Sequence, residues 1–185
     1  KRDYDWWIDR LATTFARFDT VRLDHFIGFH NYWEVPADAP NAREGHWRPG
    51  PGRALFDRVQ QKFAGRPMIA EDLGMLTDGV TELREACGFP GMRVLQFAFD
   101  GDPSNIHRVV NHTERSVAYT GTHDNDTARG WFDSLDEGMQ NWIRQEFGAH
   151  DEPIHWAMIR NAWHSPAVLA ITPMQDWLGL DGTHR

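Results

Sequence analysis

The sequence has little cysteine and no long apolar run. Its 185 residues contain one cysteine, Cys87, which excludes an internal disulfide and any zinc or iron–sulfur site built from several cysteines. No stretch approaches the roughly 18 to 20 apolar residues that a membrane-spanning helix needs, and the chain begins in a helical pattern rather than a signal peptide. These absences predict a cytoplasmic location.

Basic runs and phosphate-binding loops are also missing. The 27 acidic residues outnumber the 19 basic ones, the formal charge is −8, and no run of Lys and Arg exceeds two residues. We therefore expect neither a nucleic acid nor a membrane as partner. No Gly-x-Ser-x-Gly turn, Walker loop or Gly-x-Gly-x-x-Gly turn occurs, so no motif in the sequence supports a serine-hydrolase or nucleotide-binding function.

The sequence does contain a regular alternation of strand-like and helical segments. Strands are predicted at 20–23, 68–70, 92–99, 116–120 and 167–171, and helices near 3–17, 53–63, 77–87, 126–133, 136–148 and 153–164. A stretch from Gly28 to Gly52 shows no regular pattern. Such alternation is typical of parallel α/β proteins, but five strands are too few for a closed (β/α) barrel, which needs eight. We predict one incomplete domain over 1–185.

Three carboxylates each follow a strand-like run. Asp24, Glu71 and Asp124 are separated by 47 and 53 residues, which leaves room for at least one strand-loop-helix unit between them. A (β/α) barrel collects its active site from the carboxyl ends of its strands. Three acids at one barrel mouth would suit glycoside chemistry.

Asp24 is the candidate nucleophile. Arg22 precedes it by two residues, so both side chains point to the same side of a strand. A guanidinium beside a carboxylate keeps it ionised and aimed. The alternative is an ion pair with a structural role only.

Glu71 is the candidate acid/base. A general acid must stay protonated near neutral pH, and the neighbouring charges of Asp72 and Asp24 favour that state. Asp72 is a secondary candidate for substrate binding. Its alternative role is to hydrogen-bond the backbone of the turn at Leu73-Gly74.

The segment His123-Asp124-Asn125-Asp126-Thr127 is the most polar cluster. Asp124 is suited to stabilise positive charge on a sugar, and His123 to donate to a sugar hydroxyl. We expect Asn125 or Asp126 to cap the next helix. A metal site is the competing functional interpretation, but the spacing fits no EF-hand, and we expect no metal or cofactor.

Aromatic residues are abundant, with nine tryptophans. Most lie in helical patterns, where a core position is expected. Trp33, Trp47 and Tyr32 lie instead in the irregular stretch, where their rings are candidates for stacking on sugars. A structural role for them is the alternative.

From about Tyr4 to Leu180, the chain resembles the 4-α-glucanotransferase family, whose members are called amylomaltase or disproportionating enzyme. The segments that carry the resemblance are 21–26, 31–36, 69–74, 91–99 and 119–127, with Met174-Gln175-Asp176 near the end. The resemblance implies a (β/α)8 barrel related to the α-amylase group and a retaining double displacement on α-1,4-glucans such as malto-oligosaccharides. Asp24 would be the nucleophile, Glu71 the acid/base and Asp124 the transition-state stabiliser, with Arg22 and His123 beside them.

The resemblance covers only strands four to eight of the family barrel. The absence of an initiator methionine at Lys1 and the polar end at Arg185 add the expectation that the chain is cut from a larger protein. It would need the missing N-terminal half of its barrel and have little activity alone. An α-glucan hydrolase with the same acids and a non-catalytic glucan-binding segment are the two alternatives.

Overall fold

A computed structural model describes residues 3–185, which divide after Gly91 into two compact units. The first unit contains, in chain order, α1 (Asp5–Phe15), β1 (Val21–Leu23), α2 (Ile27–His30), β2 (Asn31–Glu34), β3 (His46–Pro49), α3 (Gly52–Lys62), β4 (Met68–Ala70), α4 (Asp78–Cys87) and the start of β5 (Gly91–Val94). In the described residues, no helix is both long and apolar enough to cross a membrane.

Parallel strands form the frame of the first unit. β1 and β4 run parallel with Leu23 opposite Ala70, and Ala70 in turn lies opposite Gly91. Beyond the strands, the Glu71 N–H continues the ladder by donating to the Leu23 carbonyl at 2.9 Å. The parallel arrangement predicted from the alternation is confirmed here.

An aromatic core fixes the helices of this unit. Phe26 is completely buried and packs against Phe29, Phe56 and Phe89, with ring centroids 5.4 to 6.2 Å from its own. Phe56 belongs to the buried face of α3, together with Leu55 and Val59. Burial of such rings is a large source of stability, so Phe26 anchors the turn that follows β1.

The stretch predicted to be irregular contains regular structure. α2 is a single helical turn, and β2 and β3 form an antiparallel hairpin in which Trp33 faces Trp47. Most of the hairpin residues are exposed, so the alternation of apolar and polar residues that marks a half-buried strand is missing. Cross-strand aromatic contact stabilises the hairpin instead.

The second unit continues the alternation. It contains the rest of β5, a 3₁₀ turn (Leu95–Phe97), a 3₁₀ turn (Val109–Asn111), β6 (Ser116–Tyr119), α5 (Ala128–Asp133), α6 (Glu137–Phe147), α7 (Ile154–His164), β7 (Leu169–Ile171), α8 (Met174–Trp177) and a 3₁₀ turn (Gly182–His184). β5 and β6 are neighbours in the sheet, and β6 runs parallel to β7. Its core includes Leu95, Ile143 and Met158.

β5 is shorter than predicted. The apolar run 92–99 suggests one strand, but the strand ends at Val94 and the chain turns at Leu95–Phe97, where the Ala98 N–H donates to the Leu95 carbonyl. A short run of buried residues does not reveal by periodicity where a strand stops.

Two histidines, the half-buried His107 and the buried His112, follow β5. His107 Nδ1 accepts from the Val94 N–H at 3.1 Å, and His112 lies between the His107 carbonyl and the Ser165 hydroxyl at 3.0 and 2.7 Å. Burial, together with the nearby Arg93 charge, lowers the pKa of His107 to about 4, and burial also lowers the pKa of His112. Both rings therefore have a structural role, joining segments of the second unit through hydrogen bonds.

Stability should therefore fall in acid. The folded state holds His107 neutral down to about pH 4, whereas an unfolded histidine takes up a proton below its ordinary pKa of 6.5. The free energy of unfolding should drop by about 2–3 kcal/mol between those two values and level off below them. His107→Asn, whose side-chain oxygen accepts the same hydrogen bond without titrating, should flatten most of this slope in denaturant titrations of a full-length protein containing the segment. An unchanged slope would contradict this role.

Candidate active site

Asp24 and Glu71 are the first residues after two neighbouring parallel strands, β1 and β4, which end side by side. Asp24 follows Leu23, Glu71 follows Ala70, and those two residues are register partners. The Phe26 N–H also donates to the Glu71 carbonyl at 2.9 Å, so the backbone beyond both strands is joined. The two acids thus come together at the carboxyl edge of β1 and β4.

Asp24 is exposed to solvent and forms an ion pair with Arg22. Arg22 Nη1 lies 2.8 Å from Asp24 Oδ1, and the Asp24 side chain is 77% exposed. The two-residue spacing on β1 places the guanidinium beside the carboxylate, as the strand period requires. An exposed carboxylate held by one arginine is available to a ligand.

Glu71 is held by two backbone donors. The His25 N–H donates to Glu71 Oε2 at 2.6 Å, and the Leu73 N–H donates to Oε1 at 2.9 Å. The His25 nitrogen belongs to the peptide that starts at Asp24, so covalent geometry keeps Glu71 Oε2 within about 5.5 Å of the Asp24 Cα. The acid pair is therefore linked by a single peptide group.

Asp72 occupies a different environment from Glu71. Its side chain is 1% exposed, and its Oδ2 lies 3.2 Å from Nε of Arg84. A Cβ on Gly91 would overlap this carboxylate, which explains the glycine at the start of β5. The buried position does not favour the direct substrate contact expected of Asp72. In the turn at Leu73-Gly74, the Leu73 N–H donates to Glu71 Oε1.

In the second unit, the polar loop after β6 exposes Asp124. Asn125 Oδ1 accepts from the Thr122 N–H and hydroxyl at 2.9 and 2.8 Å, which closes a tight turn around His123 and Asp124. The Asp124 side chain is 78% exposed, and His123 Nε2 lies 3.5 Å from its Oδ1. A cleft of about 320 Å³ adjoins the loop, with Gln175 on its wall.

The cap of α5 differs from the prediction. Thr127 is the N-cap, and its hydroxyl accepts from the Gly130 N–H at 3.0 Å. The expectation that Asn125 or Asp126 caps this helix is wrong, because the Asn125 oxygen is used by Thr122. Asp126 Oδ1 accepts from the N–H of Thr127 itself at 2.7 Å.

The predicted aromatic contacts lie on the hairpin. Tyr32, Trp33 and Trp47 are all exposed, and the two indole centroids are 5.4 Å apart with their planes at 71°. The Trp33 Nε1–H donates to the Ala42 carbonyl at 2.7 Å, which fixes that ring. Accessible rings in fixed orientation are suited to stacking on a sugar face.

Asp176 supports the loop that contains Asp124, a role that the residue patterns did not reveal. Its side chain is 1% exposed, and it accepts from the Thr120 hydroxyl at 2.6 Å and from the Ala128 N–H at 2.7 Å. These two partners bracket the Thr122–Thr127 loop. Asp176 belongs to the Met174-Gln175-Asp176 segment of the family resemblance, but no local pattern reveals its structural role, because its partners lie 48 and 56 residues away in sequence. Within residues 3–185, no cluster of three or more His, Cys, Asp and Glu side chains is arranged to hold a metal ion.

Strands followed by helices, with acids after the carboxyl ends of several strands, are features of (β/α)-barrel enzymes. A family model described as 4-alpha-glucanotransferase matches residues 1–185, and the chain belongs to that family. It is 45% identical over 98% of its length to the chloroplastic/amyloplastic 4-alpha-glucanotransferase of Arabidopsis thaliana, and 41% identical over its whole length to the 4-alpha-glucanotransferase of Clostridium butyricum. These matches cover 32% and 38% of the two relatives.

A solved structure gives the same result for the fold. The amylomaltase from Streptococcus agalactiae in complex with acarbose matches 97% of this chain with a TM-score of 0.92 and 36% identity, and the match covers 37% of that amylomaltase. The predicted fold class, part of a (β/α)8 barrel, is thereby confirmed, as is the resemblance to the family. The chain spans about a third of the length of the curated relatives it matches.

Removing the Asp176 carboxylate should loosen the Asp124 loop. Asp176→Ala leaves the Thr120 hydroxyl and the Ala128 N–H without their buried acceptor, so we expect a loss of about 2–4 kcal/mol in the free energy of unfolding. Asp176→Asn should lose less, because the Thr120 hydroxyl can turn to accept from the new amide. Denaturant titration of the full-length protein measures both, and equal losses would argue against this assignment.

Proposed function

We propose that residues 1–185 supply the catalytic acids of a 4-α-glucanotransferase that transfers α-1,4-glucan segments between malto-oligosaccharides with retention. One observation carries the proposal: the peptide that begins at Asp24 donates its N–H to the Glu71 carboxylate at 2.6 Å. A retaining mechanism needs its two carboxyl groups about 5 to 5.5 Å apart, and this hydrogen bond holds the pair in close proximity.

The first half of the reaction uses both acids together. The Asp24 carboxylate attacks the anomeric carbon, while Glu71 protonates the glycosidic oxygen as its bond to that carbon breaks. Arg22, whose Nη1 lies 2.8 Å from Asp24 Oδ1, holds the nucleophile in position. The products are a glycosyl ester on Asp24 and the released reducing-end glucan.

The second half reverses the roles with a new partner. Glu71, now a carboxylate, takes the proton from the 4-hydroxyl of an acceptor glucan, and that oxygen displaces Asp24 from the anomeric carbon. The new α-1,4 bond restores both acids. Transfer differs from hydrolysis only in that a sugar hydroxyl replaces water, so water exclusion decides between them.

The remaining predicted residues receive supporting roles in this proposal. Asp124 stabilises positive charge on the sugar, and His123 donates to a hydroxyl, consistent with their exposure beside a cleft. The hairpin residues Tyr32, Trp33 and Trp47 stack on the glucan. Asp72 acts through its buried pair with Arg84, which fixes the chain next to Glu71.

The substrate class draws support from the relatives. The Streptococcus agalactiae amylomaltase was solved with acarbose, and the curated relatives are named 4-alpha-glucanotransferase. We extend this to glycogen, starch or maltose metabolism without a cofactor. A cytoplasmic location is part of the proposal, although plant relatives are named chloroplastic/amyloplastic.

We also propose that the chain works as one domain together with an N-terminal barrel half. Among the described strands, β1 and β7 each have a single neighbour, β4 and β6. On the β7 side, Val168, Leu169 and Ile171 are exposed although apolar. Strand edges of this kind favour pairing with another chain segment.

Loss of either acid should abolish transfer. In the full-length protein, Asp24→Ala and Glu71→Gln should each reduce turnover of maltotriose by at least about 10²-fold, because each removes a group that forms or breaks a bond. Asp19→Ala and Glu82→Gln are matched controls at exposed acidic positions of the same unit and should keep full turnover.

The product pattern distinguishes the candidate functions. A transferase converts maltotriose to glucose and longer oligomers, whereas a hydrolase yields only shorter sugars. Turnover retained in either acid variant would reassign the roles. Glucan binding that persists in both, with no turnover in the unmodified protein, would favour a non-catalytic glucan-binding segment.

Residues 1–185 expressed alone should associate and show little activity. The exposed apolar edge at β7 has no covering segment in that case, so sedimentation should show oligomers. Leu169→Lys should reduce the association, since a charge on an edge strand opposes pairing. A cooperatively melting monomer with full transferase turnover would overturn the need for a further barrel half.

A further inference from the structure

His25, the residue after Asp24, has a left-handed backbone conformation, and its N–H is the group that reaches Glu71. His25 has a φ of +49°, a region that residues with side chains seldom occupy, although histidine is enriched there. Among residues 3–185, the other non-glycine residues with positive φ are Asp3 and Tyr4, ahead of α1. A conformation of this kind at the end of a barrel strand calls for a functional explanation.

The turn at His25 aims one donor at one acceptor. Its N–H reaches Glu71 Oε2 at 2.6 Å, which is short for a bond from nitrogen to a carboxylate. The turn is closed behind it by the Gly28 N–H, which donates to the His25 carbonyl at 2.9 Å. The imidazole lies against Gly28, where an added Cβ would stand 2.8 Å from Cδ2. The side chain thus packs on the turn while the main chain faces Glu71.

We propose that His25 is a positioning residue for the acid/base step, whose left-handed backbone directs the Asp24–His25 peptide N–H onto Glu71. The inference rests on the proposed function, because it assigns the acid/base role to Glu71. In this role His25 acts through its main chain, and its imidazole does not need to touch the substrate.

The charges around Glu71 explain why a neutral donor is useful there. Charged or titratable groups on the neighbouring segments of the first unit include Arg22 on β1, Asp24 and His25 after it, Asp72 after β4 and Arg84 on α4. Arg22 pairs with Asp24, and Arg84 pairs with Asp72. The His25 and Leu73 N–H groups supply donors to Glu71 without a net charge that would fix it permanently as a carboxylate.

The His25 N–H should affect the basic limb of the pH profile of kcat/KM, which is the fall in activity at high pH. Activity in the first half-reaction needs protonated Glu71, so the basic limb of kcat/KM reports its ionisation. A hydrogen bond to the ionised form favours that form, and its loss should move the basic limb to higher pH by about one unit. A purely structural role for His25 would lower activity or stability without moving the limb.

Two substitutions test the backbone. His25→Val disfavours the left-handed conformation, since β-branched residues rarely adopt it, and should shift the limb upward in the full-length protein. His25→Gly adopts positive φ freely and should restore the position of the limb, whatever the loss of the imidazole does to the rate. Gly65→Val is a matched control: Gly65 has a φ of +75° in an open turn before β4, so it adds similar strain without moving the limb.

A backbone ester gives the direct measurement. Replacing residue 25 by the α-hydroxy analogue of histidine exchanges the donor N–H for an oxygen and leaves the side chain in place. We expect the same upward shift, and an ester at Gly28, which removes the bond to the His25 carbonyl, should leave the limb unmoved. An ester at position 25 with an unmoved limb overturns the inference.

Failure of this inference is distinguishable from failure of the proposed function. If Glu71→Gln abolishes transfer while the ester at position 25 leaves the pH profile unchanged, the function stands and the positioning role falls. If Glu71→Gln retains transfer, Glu71 is not the acid/base and both fall together.

Discussion

The parallel register of β1 and β4 is the constraint on which the acid pair depends. With Leu23 opposite Ala70, the ladder continues through the Glu71 N–H to the Leu23 carbonyl, so Asp24 and Glu71 leave the strands at one level. A slip of one residue would turn every β4 side chain to the other face. It would put Asp72 in the place of Glu71. The register therefore decides which of two adjacent carboxylates lies beside Asp24.

The acids divide into exposed groups suited to chemistry and buried groups that hold the structure. Asp24 and Asp124 are exposed, whereas Asp72 is buried beside Arg84 and Asp176 is buried with two hydrogen-bond donors. Burying a carboxylate is costly unless it is paired or hydrogen-bonded, so each buried acid fixes the backbone around it. Each unit thus contains both an exposed candidate acid and a buried acid with a structural role.

The elements that the sequence predicted well are those whose signal is local. The helix α3 shows its buried face in the spacing of Leu55, Phe56 and Val59, and the five predicted strands with helices between them are present in the structure. The hairpin of β2 and β3 was missed because its residues are mostly exposed and carry no alternation. The end of β5 and the Thr127 cap were also misplaced, since competing hydrogen bonds selected the outcome.

By itself, the sequence determined the family, the parallel α/β class and the candidate acids, because motifs and hydrophobic periodicity are properties of neighbouring residues. Only the tertiary structure decided which carboxylates are exposed, that Asp176 anchors the loop of Asp124, and that the His25 backbone reaches Glu71. These features join residues 46 to 56 positions apart. Such contacts arise from packing and register, which no local pattern encodes.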